Sequence, residues 1–249
     1  DELISLAGLL VVARRHDDVK LYEQVRDILD RHVNGVLRDG LLSNRFPHSD
    51  LGSIDAIGWL ARRVIDFVTI AKAEKKLFSL LDSLQIMHWS EQLKKALSRA
   101  KKHRLKDGLF HSNFNETWMD TSYHDDGRVG FRVEIQGLFL CLFDAIILLE
   151  DILRSPQKRS FVVERDRFRK RVREVFLKDD AEGLLIDGVD DDGRVDRTVR
   201  PNVFLAAYVA PDLLRRSEWR RVCSFYVDRL FTPWGGLTTI DKEKSLFQP

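Results

Sequence analysis

The chain has 249 residues and a formal net charge of +2 at pH 7, from 41 basic and 39 acidic side chains. With 44% hydrophobic residues and only six prolines, it predicts a globular protein with one large core or two modest ones. Such a charge balance argues against a polyanion such as nucleic acid as partner. The arginines of residues 165–173 alternate with apolar residues at helical spacing, which indicates the wet face of an amphipathic helix.

The two cysteines, Cys141 and Cys223, lie in apolar runs far apart in sequence. This placement predicts buried free thiols, which are typical of a reducing compartment, rather than a disulfide framework. No run of eighteen apolar residues occurs, so we expect no membrane span. The expected location is therefore the cytoplasm.

Helical periodicity organises almost the whole chain, and alternating strand patterns are nearly absent. The predicted helices lie near residues 2–15, 19–33, 54–72, 76–103 (with a break near Ser83 as an alternative), 131–153, 161–177, 202–215 and 217–230. The sequence therefore predicts an all-α fold.

A short signal of acid, glycine and two apolar residues recurs at 39–42, 107–110 and 182–185, with a weaker echo at 235–237. We expect each glycine to be the left-handed stop of the second helix of a pair. Pairs repeating every 68 and 75 residues suit an α/α toroid, whose loops at one end line a common cavity. Eight helices make four pairs, fewer than the six of a full toroid. The expectation is therefore a single toroid domain over residues 1–249, truncated at both ends.

Polar loops follow these signals and lead into the next helix. In the first, Asp55 and Trp59 stand at i and i+4, so a carboxylate and an aromatic ring share one helix face and can address one ligand. The alternative is that Asp55 only favours the helix dipole.

The second polar loop contains residues 117–120, Thr-Trp-Met-Asp. The Trp118 ring can cover the apolar face of a hexose while the Asp120 carboxyl reaches a hydroxyl or a glycosidic oxygen. The alternative is a surface loop capped by a half-buried tryptophan.

No cofactor and no metal are expected. The seven histidines form no zinc spacing, and nucleotide and nucleophile-elbow motifs do not occur. The acidic residues 187–196 lack the ligand spacing of a calcium loop and are interpreted as a solvated loop. Carboxylates with aromatics remain, and these are the residues used in glycoside hydrolysis.

The chain resembles the C-terminal glucosidase region of glycogen debranching enzymes, the amylo-α-1,6-glucosidase family. The motifs that carry the resemblance appear in the family's order: 1–10 (Asp-Glu-Leu-Ile-Ser-Leu-Ala-Gly-Leu-Leu), 39–46 (Asp-Gly-Leu-Leu-Ser-Asn-Arg-Phe), 53–59 (Ser-x-Asp-Ala-x-x-Trp), 117–120 (Thr-Trp-Met-Asp), 133–138 (Val-Glu-Ile-Gln-Gly-Leu), 200–202 (Arg-Pro-Asn) and 237–239 (Leu-Thr-Thr).

The resemblance implies removal of α-1,6-linked glucose stubs from glycogen or another branched α-glucan, by hydrolysis with inversion. Asp120 is the implied general acid, with Trp118 and Phe114 as apolar surroundings that raise its pKa, and Glu116 is its rival. The candidates for holding the sugar are Asp1, Asp55, Trp59, Trp118, Arg132, Glu134 and Arg200. For Glu134, which opens a buried helix, the expected task is to position an arginine or a hydroxyl, and a purely structural role is the alternative.

The chain also departs from the family pattern. The family's Tyr-His-x-Gly-x-x-Trp-Pro segment, which leads to the second catalytic carboxylate, does not occur, and Phe131-Arg132 replaces a Lys-Pro pair. We therefore expect the general base to lie outside this polypeptide and the polypeptide alone to be inactive. Two alternatives stay open: another α/α-toroid glycosidase of glucoamylase or trehalase type, and a non-catalytic glucan-binding remnant.

Overall fold

Apolar residues at helical spacing fold into helices over most of the chain in a computed structural model, which describes residues 2–43, 52–119, 127–178, 185–243 and 247. The helices are α1 (Glu2–His16), α2 (Val19–Asn34), α3 (Ala56–Ala73), α4 (Leu77–Leu80), α5 (Ser83–Arg104), α6 (Val133–Ile152), α7 (Lys158–Phe176), α8 (Asn202–Val209) and α9 (Arg216–Leu230). The predicted helical fold class is confirmed.

Local chemistry explains where two of the helices begin or end. The predicted break near Ser83 is confirmed, because the Asp82 carboxylate accepts a hydrogen bond from the Gln85 backbone N–H at 2.7 Å and caps α5. The helix predicted to run to residue 215 ends at Val209. Pro211 follows almost at once and cannot continue a helix.

Short strands occupy the loops between helix pairs: β1 (Leu42–Ser43), β2 (Gly52–Ser53), β3 (Leu105–Lys106), β4 (Leu109–Ser112), β5 (Gly130–Arg132), β6 (Gly188–Val189) and β7 (Val195–Asp196). Strands β1 and β2 pair with each other, and β3 to β7 form one sheet in sequence order. Strands this short carry no readable alternation, so the sequence patterns missed them.

The recurring glycines mark a turn that comes after the helix rather than the helix stop itself. Helix α2 ends before Gly40, which has φ +86°, in a turn closed by the bridge between Val36 and Leu42. Gly235, with φ +83°, lies in a similar turn closed by the bridge between Phe231 and Leu237. The predicted role as a left-handed helix stop is thus wrong for Gly40 and Gly235, and also for Gly108, because α5 already ends at Arg104. Gly183 lies outside the described residues.

The chain divides into two compact units. Unit 1 comprises Asp1–Leu105 and Cys141–Arg165. Its core holds a run of aromatic contacts: the rings of Tyr22 and Phe67 meet edge to face at 6.4 Å, and Phe67 lies 6.2 Å from Trp89. The Trp89 indole N–H donates to Asp30 at 2.9 Å, so this buried polar group is satisfied.

Unit 2 comprises Lys106–Leu140 and Asp166–Pro249. The Phe110 ring stacks on Phe139 with 3.5 Å between centroids and meets Phe168 edge to face at 5.3 Å. These contacts fix strand β4 on helices α6 and α7. In the described residues, no helix is long and apolar enough to cross a membrane.

Candidate functional site

In unit 1, Asp55 and Trp59 form a buried pair at the start of α3. Strands β1 and β2 pair antiparallel, Leu42 with Ser53, and bring the chain directly to Asp55. Only 7% of Asp55 and 6% of Trp59 are exposed. The backbone N–H of Trp59 donates to the Asp55 carbonyl at 3.1 Å, so the two residues lie one helical turn apart, and their joint contact with one ligand stays a prediction.

Asp55 is the residue that precedes the first turn of α3, so the helix-dipole alternative stays open. Within the described residues, its side chain makes no capping hydrogen bond to α3. It accepts a hydrogen bond from the Ser53 hydroxyl. Burial raises the pKa of Asp55, and the hydrogen bond from Ser53 opposes the increase.

In unit 2, the Trp118 side chain is anchored at one edge and open on its surface. It lies in the loop between β4 and β5, and 39% of the residue is exposed. Its indole Nε1 donates a hydrogen bond to Oδ1 of Asn202 at 2.9 Å. Asn202, the first residue of α8, is fully buried. A tryptophan held by its N–H with ring surface exposed suits stacking against a sugar.

Asp187, just before β6, connects Trp118's anchor to the rest of the unit. Its Oδ1 accepts from Nδ2 of Asn202 at 2.7 Å, and its Oδ2 accepts from Nη1 of Arg128 at 2.7 Å. Nε of Arg200 lies 4.0 Å from the same Oδ2. Asp187 is only 2% exposed, so the prediction of a solvated loop is wrong for this residue. Further along the segment, Asp190 accepts backbone hydrogen bonds within the β6–β7 turn.

Arg128 joins two buried carboxylates. Its Nη2 donates a hydrogen bond to Oε1 of Glu134 at 2.7 Å, and its Nη1 donates one to Oδ2 of Asp187 at 2.7 Å. Burial disfavours its charge, but the two carboxylates offset this effect and raise its pKa. Burial and the neighbouring Asp187 also raise the pKa of Glu134, against the opposing charge of Arg128. Glu134 thus binds an arginine. The sequence did not identify Arg128 as that arginine, because Arg128 lies in a loop without a motif.

The Arg132 side chain binds protein groups. Its Nη1 donates to Asp196 at 2.9 Å, and its other nitrogens donate to the carbonyls of Arg128 and Val129 at 3.2 and 2.8 Å. Although burial works in the other direction, hydrogen bonds from Thr198 and the charge of Arg132 hold the pKa of Asp196 below its ordinary value. A direct bond from Arg132 or Glu134 to a sugar stays a prediction.

Two predicted site residues, Asp1 and Asp120, lie outside the described residues. Glu116, the rival acid, accepts hydrogen bonds from the backbone and side chain of Asn113 at 2.8 and 3.1 Å and so closes a turn. Residues 116–119 are not helical.

The predicted apolar neighbour Phe114 packs over a glycine in the same loop. An added Cβ at Gly127 would lie 2.0 Å from the Phe114 ring. This loop therefore closes upon itself around the segment that carries Trp118, with Asn115 N–H donating to the Gly127 carbonyl at 3.0 Å.

The structure brings the unit 2 candidates Trp118, Glu134 and Arg200 together through Asp187 and Arg128. In unit 1, Asp55 and Trp59 lie one helical turn apart at the start of α3. Among the residues described, no group of three or more histidine, cysteine or acidic side chains could hold a metal ion.

A mostly helical chain with tryptophan and carboxylate side chains at the loops before its helices has the features of a helical glycosidase. The family model described as amylo-alpha-1,6-glucosidase matches residues 1–249, the whole chain. The chain therefore belongs to the amylo-α-1,6-glucosidase family. A search of curated proteins gives no match.

Proposed function

We propose that the chain is a glucosidase domain that removes α-1,6-linked glucose stubs from glycogen or a related branched α-glucan, with inversion at the anomeric carbon. The observation that carries the proposal is the Trp118 side chain, anchored by its N–H to buried Asn202 and exposed on its ring surface. The Thr-Trp-Met-Asp motif places this platform two residues before Asp120. The glucan is the expected partner, and no cofactor is required.

In the proposed reaction, Asp120 is the general acid. It gives its proton to the glycosidic oxygen as the bond to the anomeric carbon breaks, while a second carboxylate removes a proton from the attacking water on the opposite ring face. An inverting pair stands roughly 6.5–9.5 Å apart, which leaves space for that water. The acid needs a raised pKa, and Trp118 and Phe114, which lie close to Asp120 in sequence, are its proposed apolar neighbours.

Glu134 and Asp187 are poor candidates for the base. A base must contact the attacking water, but Glu134 is 0% exposed and Asp187 only 2%. Both carboxylates already accept hydrogen bonds from Arg128. We assign them to the support of the site and place the base on another carboxylate.

In unit 1, Asp55 is the proposed contact for a sugar hydroxyl, with the Ser53 hydroxyl bound to its carboxyl and Trp59 one helical turn away. The raised pKa of the buried Asp55 supports a functional role, because the same position filled by an apolar side chain would cost less. A cytoplasmic location suits the free thiols Cys141 and Cys223.

The test is hydrolysis of a singly branched α-dextrin by the protein that carries this chain, followed by proton NMR within the first turnovers. Release of β-glucose from the α-1,6 bond is expected. Release of α-glucose would contradict inversion. Cleavage of α-1,4 or α,α-1,1 bonds instead would favour a glucoamylase-like or trehalase-like enzyme, and binding without cleavage a glucan-binding remnant.

A further inference from the structure

The hydrogen bonds that lead to Trp118 have a fixed direction. An ionised carboxylate accepts hydrogen bonds but cannot donate them. Asp187 therefore requires the NH₂ group of Asn202, at 2.7 Å, which leaves the amide oxygen of Asn202 facing the Trp118 indole N–H at 2.9 Å. If the amide turned over, its NH₂ would face the indole donor and its oxygen would face a carboxylate. Asp187 thus fixes which way Asn202 points.

Asp187 is itself held in place. Arg128 donates to its second oxygen at 2.7 Å and is fixed at its other end by Glu134, also at 2.7 Å. Asp187, Asn202, Arg128 and Glu134 are all buried. The backbone N–H of Val133, at the start of α6, donates to the Asp187 carbonyl at 3.0 Å. Hydrogen bonds therefore connect Trp118, through Asn202 and Asp187, to the first residue of α6.

We propose that Asn202 and Asp187 are positioning residues that hold the Trp118 ring at the orientation in which it receives the sugar. This inference rests on the proposed function. Neither residue needs to touch the sugar, because each acts through the indole N–H. A ring fixed before binding loses less conformational freedom when the glucan arrives, so the anchor increases affinity without a new contact to substrate.

A double-mutant cycle on the branched dextrin tests the proposal. We expect Trp118→Phe, which removes the indole N–H, and Asn202→Ala each to raise KM on the order of threefold to tenfold, with a smaller change in kcat. Both variants remove the same hydrogen bond. The KM of the double variant should therefore be no higher than the higher KM of the two single variants.

Trp219→Phe is the matched control. It removes an indole hydrogen bond of the same kind, 2.7 Å to the Pro211 carbonyl, in the same unit. Its KM should stay at the parent value. If Asn202→Ala leaves KM unchanged, or if its effect simply adds to that of Trp118→Phe, the positioning role is wrong.

A variant that does not fold leaves the test intact. Benzothienylalanine placed site-specifically at position 118 keeps the size and shape of the ring and puts sulfur where Trp118 has its N–H. We expect the same rise in KM, and an unchanged KM would overturn the inference. A parent protein that neither binds nor cleaves the dextrin would instead refute the proposed function, and with it this use of Trp118.

Discussion

Arg128 and Glu134 form a buried ion pair, with 2.7 Å between Nη2 and Oε1 and with 2% and 0% of their side chains exposed. The same guanidinium also binds Asp187 at 2.7 Å. Arg128 therefore binds both carboxylates, and Asp187 has two further guanidinium groups, of Arg132 and Arg200, at 3.9 and 4.0 Å. Removing the shared cation should cost far more than removing one of the anions.

We predict that Arg128→Met destabilises the protein by about 3–5 kcal/mol. It removes the guanidinium partner of buried Glu134 and leaves Asp187 with only the more distant Arg132 and Arg200. Glu134→Gln should cost clearly less, because the amide oxygen can still accept from Arg128, which then has a one-to-one partner in Asp187. Urea unfolding at pH 7 measures both. Equal losses for the two variants would contradict the shared-cation description.

We predict that Asp55 makes stability depend on pH. Burial raises its pKa in the folded protein, so the folded state binds this proton more tightly than the unfolded state. The contribution is fully present below the unfolded pKa and is lost as pH rises through the folded pKa. Asp55→Asn mimics the protonated side chain, so it should remove this dependence and leave the protein at least as stable at pH 7.

The measurement is urea unfolding of the parent and Asp55→Asn at a series of pH values from mildly acidic to neutral. The difference in unfolding free energy between the two proteins should shift in favour of Asp55→Asn as pH rises. A difference that does not vary with pH would show that folding leaves the pKa of Asp55 unshifted. A difference that moves in favour of the parent as pH rises would show that Asp55 is stabilised as a carboxylate.

The helices could be predicted closely from the sequence because apolar periodicity is a local signal. Helix α2 was expected at 19–33 and spans Val19–Asn34. An arginine or hydroxyl partner for Glu134 was also foreseeable, because a buried acid needs a donor. Its identity was not, since Arg128 precedes β5 in a loop of irregular structure.

Asp187 shows most clearly what the sequence could not supply. It begins an acidic stretch that favours solvent on composition alone, but Arg132 of β5 pairs with Gly188 of β6. This long-range pairing carries the neighbouring Asp187 inside, where Asn202 and Arg128 satisfy its carboxylate. Here the burial depends on strand pairing between distant segments. A two-residue strand is too short for this burial to appear as a periodic pattern in the sequence.

Gly40 offers a test of the repeated turn. We predict that Gly40→Ala destabilises the protein by about 1–2 kcal/mol through its positive φ and by about 1–3 kcal/mol more through overpacking. The second cost arises because an added Cβ would lie 2.3 Å from the Ala96 carbonyl oxygen. Gly193→Ala is the control, with φ +79° and nothing within 4 Å of the added carbon. Thermal or urea unfolding should show a larger loss of stability for Gly40→Ala than for Gly193→Ala. Equal losses of stability would mean that α5 shifts at Ala96 to make room for the added carbon.

Asp120 is the residue on which the proposed chemistry depends. We predict that Asp120→Asn in the protein that carries this chain lowers kcat on the branched dextrin by about a hundredfold to ten-thousandfold, with KM nearly unchanged. The amide fills the same volume but cannot deliver a proton, so the loss falls on the transition state. With α-glucosyl fluoride, whose leaving group needs little protonation, the same variant should lose much less activity.

Glu116→Gln is the matched control and should keep most of its activity, because an amide oxygen can still accept a hydrogen bond from Asn113. If the dextrin activity is lost in Glu116→Gln and retained in Asp120→Asn, the acid is Glu116.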